Sequence, residues 1–176
     1  MKGTRLNMNK AEFFDRDNSH YYFDDMNRIA DYCKKNCSEE VSHILRVADE
    51  VCEQIFLFDL KWDMEQTYEP VRFEGEINWR YMPAADPEFI FQFNRHRFFI
   101  CLGQAYAITG DEKYAKAYVN QMTHWTEHEI LNSPGSINTT WRTIEAGLRG
   151  EYWSKAFRYF KDSPSLIDKA VNQFYD

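Results

Sequence analysis

No stretch of this 176-residue chain approaches the roughly 18 consecutive apolar residues that a membrane-spanning helix needs, so no such helix is expected within it. Met1-Lys2-Gly3-Thr4 opens onto polar residues rather than an apolar run, so no secretory leader is legible. The chain is then either cytoplasmic or written without a leader. Basic charge is in short supply: 21 Lys and Arg stand against 28 Asp and Glu, a formal net charge of −7. This balance argues against a nucleic-acid partner and against a broad heparin-type surface. A polyanion would need a locally basic groove. Only four cysteines occur, and Cys33 and Cys37 stand at a spacing unlike the common zinc pairs, which favours plain packing roles. A Gly-rich phosphate loop, a nucleophile elbow and a Cys–His pair are all missing.

What the sequence does have is aromatic side chains, 17% of residues, within a hydrophobic fraction of 44%. Aromatics at this density serve either packing or a platform for ring-shaped ligands, above all sugars. The first twenty residues are polar with a few aromatics and read as a short helix or a loose arm, followed by one helical domain over 21–176. Apolar residues at helical spacing predict a helix from Tyr22 to about Lys35, ended by Asn36. A second starts at Ser38 as N-cap and runs to about Phe58. Residues 59–85, with Trp62, Trp79 and Tyr81, lose the period and read as a long loop of the kind that often carries function. Asp86-Pro87-Glu88 is a helix start, and that helix should run unbroken to Thr109 and stop at Gly110. Asp111 opens the next helix at once, which predicts an αα-hairpin. A further helix is expected from 138–140 to Phe160, and a last one over Leu166–Tyr175. The fold class is therefore all-α, an array of antiparallel helical hairpins.

Several polar groups interrupt these apolar stripes. Arg142, Glu145 and Arg149 stand at steps of three and four, so one carboxylate could brace two guanidiniums toward a cleft. Asn94-Arg95-His96-Arg97 breaks an otherwise apolar helix and could contact an anion. Asn78-Trp79 pairs a hydrogen-bonding amide with a ring that could stack on a sugar, or Trp79 could simply pin the loop to the helices. Each group has an ordinary structural reading beside the functional one. His124 and His128 stand four apart, but the sequence offers no third ligand at a matching place, so no metal and no cofactor is expected.

The blocks Ile77-Asn78-Trp79, Asn94-Arg95-His96-Arg97-Phe98-Phe99, Thr109-Gly110-Asp111-Glu112-Lys113-Tyr114 and Thr140-Trp141-Arg142-Thr143-Ile144-Glu145-Ala146-Gly147-Leu148-Arg149 resemble, in order and spacing, the N-terminal domain of the heparinase II/III-like polysaccharide lyases. Among these the likeness is greatest to heparan-sulfate lyases, and it covers roughly residues 40–176. The resemblance implies an incomplete (α/α) toroid followed by a β-sandwich domain that this chain lacks. It also implies a periplasmic enzyme that cleaves heparan sulfate-type glycosaminoglycan by β-elimination. The family's catalytic Asn, Tyr and His lie beyond Asp176, so the chain alone is expected to be inactive. Asn78, Trp79, Asn94, Arg95, His96, Trp141, Arg142, Glu145 and Arg149 match the family blocks and are the candidates for lining or bracing a substrate groove. The alternatives are a lyase of another uronate polymer such as alginate, or a non-catalytic helical-repeat module that binds a protein. An array with uncovered faces is also expected to self-associate.

Overall fold

A computed structural model of the protein describes residues 9–15, 25–59, 66–85 and 87–175. They form helices α1 (Lys10–Asp15), α2 (Met26–Asn36), α3 (Ser38–Cys52), α4 (Pro87–Arg95), α5 (Phe98–Thr109), α6 (Glu112–His128), α7 (Thr143–Tyr159) and α8 (Asp168–Tyr175), with two-residue strands β1 (Ile55–Phe56) and β2 (Val71–Arg72). Within the described residues no helix is long and apolar enough to cross a membrane.

Helix α5, Phe98-Phe99-Ile100-Cys101-Leu102-Gly103, is apolar on every side, and such a helix must be surrounded. α2, α3, α6 and α7 all pack against it. Gly103 permits the closest of these approaches, since a Cβ there would lie 2.5 Å from Tyr159 Cδ2 on α7. The α5–α6 turn forms as the sequence implies. Gly110 takes the left-handed conformation (φ +73°) and donates its N–H to Tyr106 O, while the Asp111 side chain accepts from Lys113 N–H and caps α6. Aromatic side chains fill the interior: Trp79, Phe93, Phe99, Tyr118, Trp125, Phe157 and Phe160 are nearly or wholly inaccessible.

The structure adds to or departs from the sequence reading at several points. α3 ends at Cys52 rather than near Phe58, because Gln54 turns left-handed (φ +57°) and Ile55–Phe56 leave to form β1. β1 pairs antiparallel with β2, Ile55 opposite Arg72 and Phe56 opposite Val71. The fold remains mostly helical, consistent with the all-α class, with this single rung added. The expected long loop is tied down by this rung and by Ile77 and Trp79 in the core. The helix expected over 86–109 is two helices, broken at His96 (φ +55°). Helix α7 starts at Thr143, after a 3-10 turn at Ser136–Asn138, because Trp141 N–H is taken by Ser136 O at 2.7 Å. Of the two forms open to the N-terminal arm, its described part takes the short helix, α1, and it is docked. Phe13 and Phe14 meet Phe157 with ring centroids 5.2 and 5.4 Å away, and Lys10 N–H donates to Asp168 Oδ1. Asp86 and Trp62 lie outside the described residues.

Candidate functional site

The polar residues picked out by sequence converge where the 73–82 segment, the α4–α5 break, the 129–142 connection and the start of α7 meet. Asn94 is the hub. Fully buried, it donates from Nδ2 to Trp79 O and to Ile90 O, both at 2.8 Å, and its Oδ1 accepts from Trp125 Nε1 at 2.8 Å. The Asn94 carbonyl accepts from Arg149 Nη1 at 2.7 Å, and the same nitrogen donates to Thr140 O at 3.0 Å. One amide thus joins four segments that sequence separation keeps apart.

His96 sits at the break in the one-residue left-handed conformation that His tolerates better than branched residues do. It is wholly buried, and its Nδ1 accepts from Trp153 Nε1 at 2.9 Å. This fixes the neutral tautomer with its proton on Nε2. Burial, with the Arg149 charge nearby, holds its pKa well below the usual histidine value.

Glu145 does bridge two arginines, but not the pair expected from spacing. Its Oε1 accepts from Arg95 Nη2 at 3.0 Å, and its Oε2 lies 3.2 Å from Arg142 Nε. Arg95 is held in turn by Gln92 Oε1 at 2.7 Å. Arg149, the expected second partner, instead gives its hydrogen bonds to backbone carbonyls and lies over the rings of Trp125 and Trp141, 4.1 and 4.9 Å from their centroids. Its burial pushes the guanidinium pKa down to about 10, against the opposing pull of Glu145 and Glu129. Arg142 remains about a third exposed, stacked 3.7 Å above the Phe91 ring.

A second clamp escaped the sequence reading. Arg80 donates from Nε to both Glu129 oxygens (3.1 and 2.9 Å), from Nη1 to Pro134 O and from Nη2 to Ser133 Oγ. Glu129 also accepts from Thr140 Oγ1 at 2.9 Å, and its carbonyl accepts from Trp141 Nε1 at 2.8 Å. Neither Arg80 nor Glu129 falls on a helical stripe, so no period marks them; adjacency to Trp79 and to His128 was the only signal. Four guanidiniums meet two carboxylates here, so this end is locally basic on a protein of negative net charge.

The remaining candidates divide. Asn78 is exposed, and its side-chain oxygen accepts from Arg80 N–H in a local turn. Trp79 is 1% exposed, so its ring offers no face to an external sugar; it pins the segment instead. Trp141 is half-buried and, with Trp125, Trp153, Ile130 and Leu131, lines a cavity of about 650 Å³.

The structure also supplies the third group that the histidine pair lacked in sequence. Glu76, His124 and His128 bring donor atoms within 4.8 Å of one another. The set is nonetheless poorly suited to a cation. Trp79 Nε1 donates to His124 Nδ1 at 2.9 Å, so the neutral ring carries its proton on Nε2. A metal-ligating histidine needs a lone pair on one nitrogen and normally donates from the other.

The fold and this site define a helical-hairpin protein with an aromatic interior and an arginine-rich end. The model of the heparinase II/III N-terminus matches residues 8–176, and the chain belongs to that family. It is similar to the heparin-sulfate lyase of Bacteroides thetaiotaomicron, 26% identical with 95% of this chain aligned, and to that of Bacteroides stercoris, 27% identical with 73% aligned. The chain spans only 26% and 21% of those two proteins. Among solved structures, the heparan sulfate lyase HepC from Pedobacter heparinus superposes with a TM-score of 0.67 at 26% identity, over 75% of this chain and 20% of that one.

Proposed function

We propose that this chain is part of the helical wall of a periplasmic polysaccharide lyase that cleaves heparan sulfate-type glycosaminoglycan by β-elimination. In this reading the hairpins form part of an incomplete (α/α) toroid, and the arginine-rich end faces the groove. The observation that carries the reading is Arg142. Its Nε pairs with Oε2 of buried Glu145 at 3.2 Å and its guanidinium carbon lies 3.7 Å from the Phe91 ring centroid, while about a third of the side chain stays exposed at the start of α7. A planar, immobilised guanidinium suits carboxylate and sulfate groups, and little further side-chain entropy is lost when they bind. The names of the relatives supply the substrate class. The groups that take the C5 proton and protonate the leaving sugar lie, in this reading, outside these residues, so the chain alone binds substrate without cleaving it.

The test compares this chain with a protein extended to the length of its relatives, following the ultraviolet absorbance of unsaturated uronate on heparan sulfate and on alginate. Product from the extended protein on heparan sulfate, lowered by Arg142→Met, supports the reading. Product on alginate alone transfers the assignment to another uronate polymer. No product on either overturns it and favours a protein-binding module. That second reading has one observation behind it, the exposed aliphatic side chains Ile130, Leu131, Ile137 and Ile144. The same residues support self-association of the chain.

A further inference from the structure

We propose that Trp79 and His124 form a proton-operated latch, which holds the 73–82 segment against α6 near neutral pH and releases the indole when His124 takes up a proton. The latch is one hydrogen bond, Trp79 Nε1 to His124 Nδ1 at 2.9 Å. Indole N–H can only donate, so the bond exists only while Nδ1 keeps its lone pair. An imidazolium carries N–H on both nitrogens and would set two donors face to face. Protonation therefore turns an attraction into a repulsion at the same atom, which an ordinary surface histidine would not do.

The surroundings set the response. His128 stacks on His124 with ring centroids 3.9 Å apart, and its Nδ1 lies 2.7 Å from the His124 carbonyl oxygen. A charge on His128 would repel one on His124. Glu76, from the latched segment, and Glu127, from α6, act the other way and favour the imidazolium. Among the described residues, buried His124 Nε2 has no hydrogen-bond partner, so the neutral ring gains nothing from them on that side to hold the latch closed. Burial and His128 outweigh the two carboxylates, and the ring titrates below its ordinary value of 6.5. Behind Trp79 lies His96, 5.0 Å away between ring centroids; it accepts from Trp153 rather than Trp79, and its deeper burial defers its own protonation. The two histidines thus report separate events. With the latch open, the segment remains held by Asn94 at the Trp79 carbonyl and by Arg80 on Glu129. The change is local, at the edge of the arginine-rich end. Only its consequence for substrate rests on the function proposed above.

The test is nuclear magnetic resonance of the whole chain, following the Trp79 indole N–H (assigned by Trp79→Phe) and the histidine ring signals from neutral pH to about pH 5. The expected result is a Trp79 shift, with faster solvent exchange, whose midpoint coincides with the titration of His124. His124→Asn keeps an acceptor near the Nδ1 position but cannot titrate, so its Trp79 signal should stay flat over the same range. His128→Gln, at an exposed position that does not endanger folding, should raise the midpoint by removing the like charge. Any of these results would overturn the proposal: a Trp79 signal that stays still while His124 titrates, the same shift in His124→Asn, or a midpoint unmoved by His128→Gln. Global unfolding before any separate Trp79 transition would overturn it too. None of these readings uses polysaccharide, so failure of the latch and failure of the lyase reading are distinguishable.

Discussion

Replacing Asn94 with leucine preserves the side chain's branching and approximate volume while deleting the side-chain hydrogen bonds and leaving the backbone carbonyl that accepts from Arg149. The Ile90 carbonyl keeps its place in the α4 ladder, but the Trp125 Nε1–H and the Trp79 carbonyl lose the partner the structure gives them, at a site with no access to water. An orphaned buried donor or acceptor costs about 1–3 kcal/mol, so the two together should cost about 2–6 kcal/mol. Against a typical total of about 5–15 kcal/mol, that is a large share of the stability. In urea the transition midpoint should fall with the slope unchanged, and by heat Tm should fall by roughly 4–24 °C for a chain of this size. Trp125→Phe in the Asn94→Leu background removes one orphan, so the double substitution should cost less than the sum of the singles by about 1 kcal/mol or more. A loss below about 1 kcal/mol for Asn94→Leu, or strict additivity in the cycle, would refute the view that this amide is the hub.

The buried carboxylate offers a second test: Glu145→Gln leaves Arg95 and Arg142 sharing a neutral amide. Breaking a buried pair costs about 3–5 kcal/mol, and the partial exposure of Arg142 puts the expectation at the lower end, measured by urea unfolding. Two glycines should respond with opposite sign. Gly103→Ala drives a methyl into the Tyr159 ring and should destabilise by about 1–3 kcal/mol, whereas Gly150→Ala meets nothing within 4 Å and should stabilise α7 by up to about 1 kcal/mol. Equal effects at the two sites would contradict the α5–α7 packing. His96 gives a pH signature. Its folded pKa lies far below the ordinary 6.5, so its contribution is complete above pH 6.5 and is lost as pH falls below it. The slope from this residue should reach at most about 1.4 kcal/mol per pH unit. His96→Asn, which retains an acceptor and tolerates positive φ, should flatten the profile in that window, as read from denaturant midpoints at several pH values.

The sequence by itself determined the helices whose signals are local. The Gly110–Asp111 turn, the acidic first turn of α3, the end of α2 at Asn36 and the stripes of α3 and α6 each depend on residues within a few positions of one another, and all form. It also determined, through four ordered blocks, the family to which the chain belongs. Tertiary structure decided whatever needed a distant partner. β1 exists because Val71–Arg72 come to lie beside Ile55–Phe56, and no period in a two-residue strand could announce that. The break at His96 is stabilised by Trp153, 57 residues later, so the apolar pattern ran straight through it. Of the candidate site, the residue types were legible and the pairings were not. Helical spacing joined Glu145 to Arg142 and Arg149. In the fold, Arg149 turns to carbonyls and rings, Arg95 arrives from 50 positions away to take its place, and Trp79, open in sequence to being a sugar platform or a pin for its loop, is enclosed by the core as a pin. Spacing along one helix fixes only which side chains share its face. Which of them is buried, and against what, depends on the packing of the other helices around α5.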